Sequence, residues 1–210
     1  MSIKSYFMAK VYDRSMRGME CACLAEWRAN LLSQAEGDVL EIGSGTGGNL
    51  SYFSDSVSNL VLSEPDPHMR VQLIEKAEKN YRGEYCVKPC GADEIDLPNG
   101  SFDAVVSTLV LCSVPSQSAS LAEIRRLLRP GGALFFIEHV VASDDPGLFR
   151  WQRFWNRFWV FMCGNCHLTR DTEQAILDAG LEFESIDRTR SNGGPAIVSS
   201  WIRGIARKPT

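Results

Sequence analysis

Ten consecutive residues, Val39-Leu40-Glu41-Ile42-Gly43-Ser44-Gly45-Thr46-Gly47-Gly48, carry the plainest chemical signal in this 210-residue chain. An apolar run suited to a strand ends in an acid and passes into a glycine turn that should open a helix. Glycine has no Cβ, so it accepts positive φ and lets the backbone come close to a ligand. The first N–H groups of a helix lack partners within it and point outward as donors. Together these features make a cradle for a nucleotide-type cofactor. Two patterns fit the run. Gly43-x-Gly45-x-x-Gly48 matches the dinucleotide fingerprint, and Glu64 follows at about the distance expected of a ribose-binding acid. Glu41-x-Gly43-x-Gly45-x-Gly47 is the other pattern, an acid followed by alternating glycines. In both, the Glu64 carboxylate can accept two hydrogen bonds at once, which suits a ribose diol.

The segment Cys163-Gly164-Asn165-Cys166-His167 has the spacing of a c-type haem attachment site. That chemistry belongs to exported proteins, and Met1-Ser2-Ile3-Lys4-Ser5-Tyr6 has no h-region of a secretory signal. A zinc site would need further ligands at short spacing, and only His68 and His139 remain as histidines. Neither haem nor a metal is therefore expected. The segment reads as a loop beside the cofactor site, with Thr169 capping a helix that begins near Asp171.

Two further stretches choose between the glycine patterns. Leu97-Pro98-Asn99-Gly100-Ser101-Phe102-Asp103 and Leu128-Arg129-Pro130-Gly131-Gly132 each precede an apolar strand. With the Glu41 run, they resemble the motifs of the class I S-adenosylmethionine-dependent methyltransferases. A nicotinamide-dependent dehydrogenase would also need a substrate domain for which little chain remains; a non-catalytic cofactor-binding module is the other rival. The resemblance implies S-adenosyl-L-methionine as cofactor. It also implies an α/β, Rossmann-like, seven-stranded, mostly parallel sheet with helices on both faces and an antiparallel C-terminal hairpin. Ligands in such sheets bind beyond the carboxyl ends of the strands. Gly43, Ser44, Gly45 and Gly47 would there meet the methionyl and ribose parts, and Asn49 is counted with them. Glu41 would organise the turn and reach the cofactor ammonium through water. Glu64 would hold the ribose, Pro65 and Met69 would flank the adenine, and Thr108 and Leu109 would line the methionyl pocket. Class members commonly place Asp-Ala against the adenine. Here Gly91 stands at that Asp position, which leaves the Ala92 N–H and Asp93 as candidates. If the acceptor needs a general base, His139 and His167 are the candidates.

At this length one compact domain over 1–210 is expected. The 44% hydrophobic and 23% charged content is that of a globular chain, and the net charge of −4 argues against general nucleic-acid binding. No run approaches a membrane span. Seven scattered cysteines without an export signal point to reduced thiols in the cytoplasm.

The elements that must position these groups follow from periodicity. Apolar residues recur every three or four positions from Ser5 to Leu32, giving an N-terminal helical cap over 1–35. Strand and helix signals then alternate, as in parallel βαβ units. Strands are predicted at 38–42, 59–63, 84–88, 102–107 and 132–138, and helices at 48–54, 67–80 and 116–128, with Gly131-Gly132 stopping the last. A helix near 171–179 and strands near 181–189 and 196–207 complete the pattern.

Between them lies a segment over 145–170 dense in Trp, Phe and Arg. A helix there places Trp151, Phe154, Trp155, Phe158, Trp159, Phe161 and Met162 on one face, and Arg150, Arg153, Asn156 and Arg157 on the other. The expectation is a mixture of core and substrate lid, with the aromatic face turned inward; a membrane-surface helix is the disfavoured third reading. With the glycine run and Ser107-Thr108-Leu109-Val110-Leu111-Cys112-Ser113-Val114, the stretches Arg129-Pro130-Gly131-Gly132, Glu138-His139-Val140 and Gly164-Asn165-Cys166-His167-Leu168-Thr169-Arg170 resemble the alkyl-thiol methyltransferase branch of the class, and these last three are the ones that tie the chain to it. This resemblance implies a small, apolar methyl acceptor with a thiol favoured, and quinone, phenol or phospholipid-headgroup acceptors as alternatives. The oligomeric state is left open.

Overall fold

In the computed structural model, which describes residues 3–210, the apolar runs form strands β1 (Gly37–Ile42), β2 (Val57–Ser63), β3 (Glu84–Lys88), β4 (Phe102–Thr108), β5 (Leu128–His139), β6 (Glu182–Arg190) and β7 (Ser200–Arg207). All seven make one sheet in the order β3-β2-β1-β4-β5-β7-β6. The first five strands pair in parallel, and β7 runs antiparallel to both β5 and β6. The order reverses at β1, with β2 on one side and β4 on the other, so the carboxyl ends of β1 and β4 flank the switch point where α/β sheets bind ligands.

A strand covered on both faces needs apolar residues at successive positions. Val39, Leu40 and Ile42 in β1 are all fully buried. Val39 shares a core with Met19 at the end of helix α1 (Ile3–Met19), with Leu24 from the turn after it, with Trp27 and Leu32 from α2 (Ala25–Leu32), and with Leu73 and Ala77 from α3 (Pro67–Asn80). Leu40 and Ile42 pack on the opposite face with Leu121, Ile124 and Leu127 from α4 (Gln117–Leu127) and Ile176 from α6 (Thr172–Asp178). One turn of π-helix, Glu20–Leu24, joins α1 to α2. Met1 and Ser2, part of the predicted cap, lie outside the described residues.

Most expected elements are present, and the differences have local causes. Residues 48–54 form turns and coil instead of a helix. Three glycines with positive φ (Gly43, Gly45, Gly47) keep the chain turning there, and Asn49 spends its side chain on hydrogen bonds outside the segment. Helix α4 ends at Leu127, before Gly131-Gly132, because the next residues lead into Pro130, and the position before a proline disfavours helix. Gly131-Gly132 instead lies within β5, with Gly131 at φ 76°. The cap of α6 is Asp171, whose carboxylate accepts from Gln174 N, and not Thr169. Part of the last predicted strand is a short 3-10 turn, Ala196–Val198.

The largest difference concerns α5 (Pro146–Met162). Its aromatic face turns away from the sheet: Trp151, Phe154, Trp155, Phe158, Phe161 and Met162 are all exposed, Phe154 by 74%. The inward positions are polar. Gln152 is fully buried, accepting from Ala142 N at 2.8 Å and donating to Val140 O and Ile197 O. Asn156 accepts from Leu168 N at 2.8 Å, and Trp159 is half-buried. Hydrophobicity alone assigns the wrong face, because the segments under this helix present unpaired backbone groups, and a buried backbone group must find a partner. The outward rings contact one another instead, with Trp151 and Trp155 stacked at 6.5 Å.

Phe154→Ala should therefore change stability by less than about 0.5 kcal/mol, as expected of an exposed position. Gln152→Ala should cost about 2–4 kcal/mol by stranding three backbone groups. Urea denaturation of both variants checks this; a large loss for Phe154→Ala would mean that the aromatic face is covered in solution.

Candidate active site

The glycine turn has the conformation its residues suggest. Gly43 and Gly45 both have φ 56°, and Gly47 has φ 83°. They are not equivalent. A Cβ on Gly43 would lie 2.7 Å from a Val110 methyl, and one on Gly47 would lie 2.7 Å from a Leu50 methyl. A Cβ on Gly45 would meet nothing closer than 3.9 Å. Gly43 and Gly47 are thus glycines for packing, while Gly45 borders open space. Met69 Sδ lies 4.0 Å from that Cβ position, which brings the predicted Met69 to the turn. Ser44, buried, donates from its N–H to Ser63 O and from its hydroxyl to Glu41 O.

Glu41 is buried at the end of β1. Asn49 Nδ2 donates to its Oε1 at 2.5 Å and to Thr108 Oγ1 at 3.1 Å, which ties the turn to β4. Oε2 of Glu41 is buried with no hydrogen-bond partner among the described residues. Burial pushes this carboxyl up to about 7, against the opposing Asn49 hydrogen bond. Glu64, also buried, accepts from Gly45 N at 2.8 Å through one oxygen and from Asp66 N at 2.8 Å through the other. Burial raises this carboxyl as well, with the two backbone donors opposing.

A cavity of about 230 Å³ opens between the turn and the N-terminal helices. Glu41, Gly43, Ser44, Gly45, Asn49 and Thr108 form its floor, and Tyr12, Asp13, Met16 and Arg28 form its wall. Arg28 is buried; it donates to Asn49 Oδ1 and, at 2.9 Å, to Glu20 Oε1. Asp13 accepts from Thr46 Oγ1 and pairs with Lys76, both at 2.6 Å. Burial pushes the Tyr12 phenol up to about 12, so it remains a donor. The helical cap is thus part of the site, which motif matching overlooks. The signal was present at Arg28, a cation on the same apolar stripe as Trp27 and Leu31. Pro65 is exposed beside Glu64. Ala92 is buried and Asp93 exposed; neither lines this cavity, and Asp93 borders a separate one with Glu94 and Asp96.

The carboxyl ends of β4 and β5 hold a second group. Glu138 is fully buried and accepts from Ser107 Oγ at 2.7 Å, Val110 N at 3.0 Å, Leu111 N at 3.1 Å and Cys112 N at 3.4 Å. Burial raises its carboxyl, and these donors work against that rise. They fold the chain sharply after Thr108, and Leu109 takes φ 61°, a conformation rare for a side chain of its size. The loop after α5 is strapped to this turn: Arg170 donates to Leu111 O and Val114 O at 2.6 Å, Asn165 Nδ2 to Ser113 O, and His167 N to Cys112 O.

That strap brings Cys166 against His139, with Sγ 2.7 Å from Nε2, and against Cys112. Trp159 Nε1 donates to the same sulfur at 3.3 Å. The Cys112 hydrogen bond foremost, then His139, holds the Cys166 thiol well below its ordinary value despite burial, while Cys112 is held up by the same contact and by burial. Of the two predicted histidines, His139 enters this cluster and His167 contributes its backbone. Burial, with Arg170 nearby, lowers the His167 imidazole. The residues sequence reasoning missed are Cys112, Cys166 and Glu138. Glu138 could have been found as an acid closing an otherwise apolar strand, as Glu41 closes β1.

The comparisons with known proteins agree with this geometry. Residues 40–136 match the family described as a methyltransferase domain. The chain is 37% identical to the human thiol S-methyltransferase TMT1B over 201 residues, covering 89% of this chain and 79% of that protein. It is 36% identical to the human thiol S-methyltransferase TMT1A, covering 81% and 70% respectively. The N-methyltransferase NodS from Bradyrhizobium japonicum, solved with S-adenosylhomocysteine, shares the fold at a TM-score of 0.64 and 15% identity, over 95% of this chain and 87% of that one. The buried, unpartnered Glu41 Oε2 and the open space at Gly45 fit S-adenosylmethionine in the cavity. The chain belongs to the S-adenosylmethionine-dependent methyltransferases, in the family that includes the thiol S-methyltransferases TMT1A and TMT1B.

Proposed function

We propose that this enzyme methylates the sulfur of a small, apolar thiol, in a reducing compartment such as the cytoplasm. The carrying observation is the state of the β5 edge. Its carboxylate, Glu138, is spent on four donors. The titratable groups left beside it are the His139 imidazole and the Cys112 and Cys166 thiols. An oxygen or nitrogen acceptor calls for a strong, well-placed general base. A thiol, with a pKa near 8.5, needs only a modest push toward its anion. The two human relatives named for thiol methylation support the same choice.

When bound, the cofactor supplies an already activated methyl group on its sulfonium. The protein's part is to hold, align and dry the reactants. Gly45 gives the space in which backbone and cofactor meet, and Glu64 holds the ribose through lone pairs not used by Gly45 and Asp66. The Glu41 Oε2 would receive the cofactor ammonium, through water. Pro65 and Met69 would border the adenine end, whereas Ala92 and Asp93 stand outside the cavity. Thr108 and Leu109 form the methionyl wall, and His139 stands on the acceptor side. Thiolate and sulfonium cancel charge as they react, so a site closed to water favours the step.

Three measurements test this reading. In a methyl-transfer screen across thiols, phenols, quinols and amines read by mass spectrometry, alkyl thiols should give the fastest turnover; preferred methylation of any other class overturns the acceptor. Gly45→Val should abolish calorimetric S-adenosylmethionine binding; its Cβ enters open space, so its cost to the fold is the strain of a β-branched residue at φ 56°, which cofactor-free melting separates from the lost affinity. Gly43→Ala should instead lower stability, since its Cβ meets Val110. Retained affinity in Gly45→Val would remove this loop from the cofactor site.

The third concerns Glu41. Its folded value of about 7 lies above the ordinary 4.5, so the fold favours the protonated form. The native state then holds more protons than the unfolded state in that window, and stability falls as pH rises through it. Without cofactor, the wild type should lose thermal stability relative to Glu41→Gln between about pH 4.5 and pH 7. The cofactor ammonium favours the anion, so wild-type affinity should rise over the same window and that of Glu41→Gln should not. Parallel pH profiles for the two proteins would place the ammonium elsewhere.

A further inference from the structure

The three side chains gathered at the β4 and β5 edge form a ligand set. Cys112 Sγ, His139 Nε2 and Cys166 Sγ lie within 4.8 Å of one another, contributed by the turn after β4, the last residue of β5 and the loop after α5. Cys112 and His139 are buried and Cys166 is half-buried, so the cluster has an inner and an outer side. We propose that Cys112, His139 and Cys166 bind one zinc ion, and that the thiol acceptor takes its fourth position.

The donor types select the metal. Two thiolates and an imidazole suit zinc, which prefers tetrahedral sulfur and nitrogen sites. Zinc–sulfur bonds of about 2.3 Å and zinc–nitrogen bonds of about 2.0 Å place tetrahedral ligand atoms roughly 3.5–3.8 Å apart. The three atoms need to part from their closest approach, Nε2 to Cys166 Sγ at 2.7 Å, by about one ångström while staying inside their present spread. The surroundings suit ionised sulfurs. Trp159 Nε1 already donates to Cys166, and the Ser113 hydroxyl, 3.3 Å from Cys112 Sγ, can turn to donate to it. Such outer hydrogen bonds commonly orient metal ligands. Nδ1 of His139 is buried with no hydrogen-bond partner among the described residues; with the ring proton on Nδ1, the Nε2 lone pair faces Cys166 Sγ, on the side where the ion would lie. The straps from Arg170, Asn165 and His167 hold the Cys166 loop against the Cys112 turn, so the ligands are brought together before any ion arrives.

Three protein ligands leave one coordination position for a small molecule, as in catalytic zinc sites with two cysteines and one histidine. Zinc with two thiolates and a neutral imidazole carries no net charge. An acceptor thiol entering as thiolate displaces water and gives its proton to solvent. Its sulfur then forms the new bond to the methyl carbon as the carbon–sulfonium bond breaks and that electron pair returns to the cofactor sulfur. The product is a neutral thioether, a weak zinc ligand, so water can retake the position. This inference rests on the thiol reading only for the fourth ligand; the metal site stands on the three side chains.

The test uses the full chain, purified with reductant, stripped by chelator, loaded with zinc and desalted. Elemental analysis should find about one zinc per chain, and cobalt(II) should give thiolate-to-cobalt charge-transfer bands and the intense visible bands of a tetrahedral site. Cys166→Ser, a conservative change at the half-buried ligand, and His139→Gln should each weaken zinc affinity by more than about tenfold. Zinc should raise the melting temperature of the wild type and not of these variants, whose retained S-adenosylmethionine binding shows that they fold. Ethanethiol added to the cobalt form should strengthen the charge-transfer band. A wild type that keeps no zinc, or variants that keep it as tightly, overturns the site. So does oxidation of the metal-free protein to a Cys112–Cys166 disulfide together with indifference to zinc, which would make the pair a redox couple. A cobalt spectrum indifferent to ethanethiol overturns the fourth-ligand role. Zinc bound by these residues in a protein that methylates no thiol supports the site and sinks only the thiol reading.

Discussion

A buried carboxylate left without donors is costly, and the way Glu138 fills its lone pairs shapes the turn that joins the carboxyl ends of β4 and β5. Its donors are the hydroxyl of Ser107 and three successive backbone N–H groups, Val110, Leu111 and Cys112. Three consecutive amides can converge on one carboxylate only if the chain curls around it. That curl starts at Leu109, which accepts a left-handed conformation. Such conformations cost of order 1–3 kcal/mol and persist where the surroundings over-determine them. Here the four donors and the strap from Arg170 do so. The outcome is local and chemical: the curl places the Cys112 sulfur beside His139 on the neighbouring strand.

The cofactor side obeys the same rule with a different remainder. Glu41 closes β1 as Glu138 closes β5, and both are buried acids at the carboxyl edge. Glu138 has a donor at each oxygen, whereas Glu41 has Asn49 at one and none at the other. A fully satisfied carboxylate is a structural part, and a half-satisfied one is poised for a cationic ligand. That difference is what supports the ligand-facing role proposed for Glu41. The chain from Glu20 through Arg28 to Asn49 then makes the helical cap a positioning element, since the amide that orients Glu41 is itself oriented by Arg28.

Much of this was legible in the sequence, and the reasons differ by residue. The β1 run was clear because both faces are covered, so its apolar residues are consecutive. The glycine turn was clear because three φ values there lie where other residues rarely go. Thr108 could be placed beside the cavity from where β4 ends, while Leu109 packs against the core. Residues 48–54 misled because turn and helix share their local spacing, and only Asn49's bonds to distant strands decide between them. The metal-ligating pattern was sought at short spacing, as Cys163 with Cys166 and His167, whereas the convergent groups are Cys112, His139 and Cys166, on three elements. Side chains brought together by topology leave no spacing to read.

The α5 helix shows the limit of reading amphipathicity as an arrow toward the core. The usual rule holds because most surfaces under a helix are apolar, so the apolar face gains by burial. Beneath α5 the chain offers the Ala142 N–H, the Val140 and Ile197 carbonyls and the Leu168 N–H, all needing partners. Leaving several such groups unpaired costs about 1–3 kcal/mol each, which competes with the roughly 1.5–3 kcal/mol from burying one large apolar side chain. Gln152 alone answers three of these groups and Asn156 the fourth, so two polar residues outweigh an aromatic stripe that remains partly shielded by its own stacking. The same inward stripe carries Trp159, whose indole reaches Cys166. Turning the helix to bury its aromatics would withdraw that donor from Cys166, so the orientation that satisfies the backbone is also the one that completes the sulfur's surroundings.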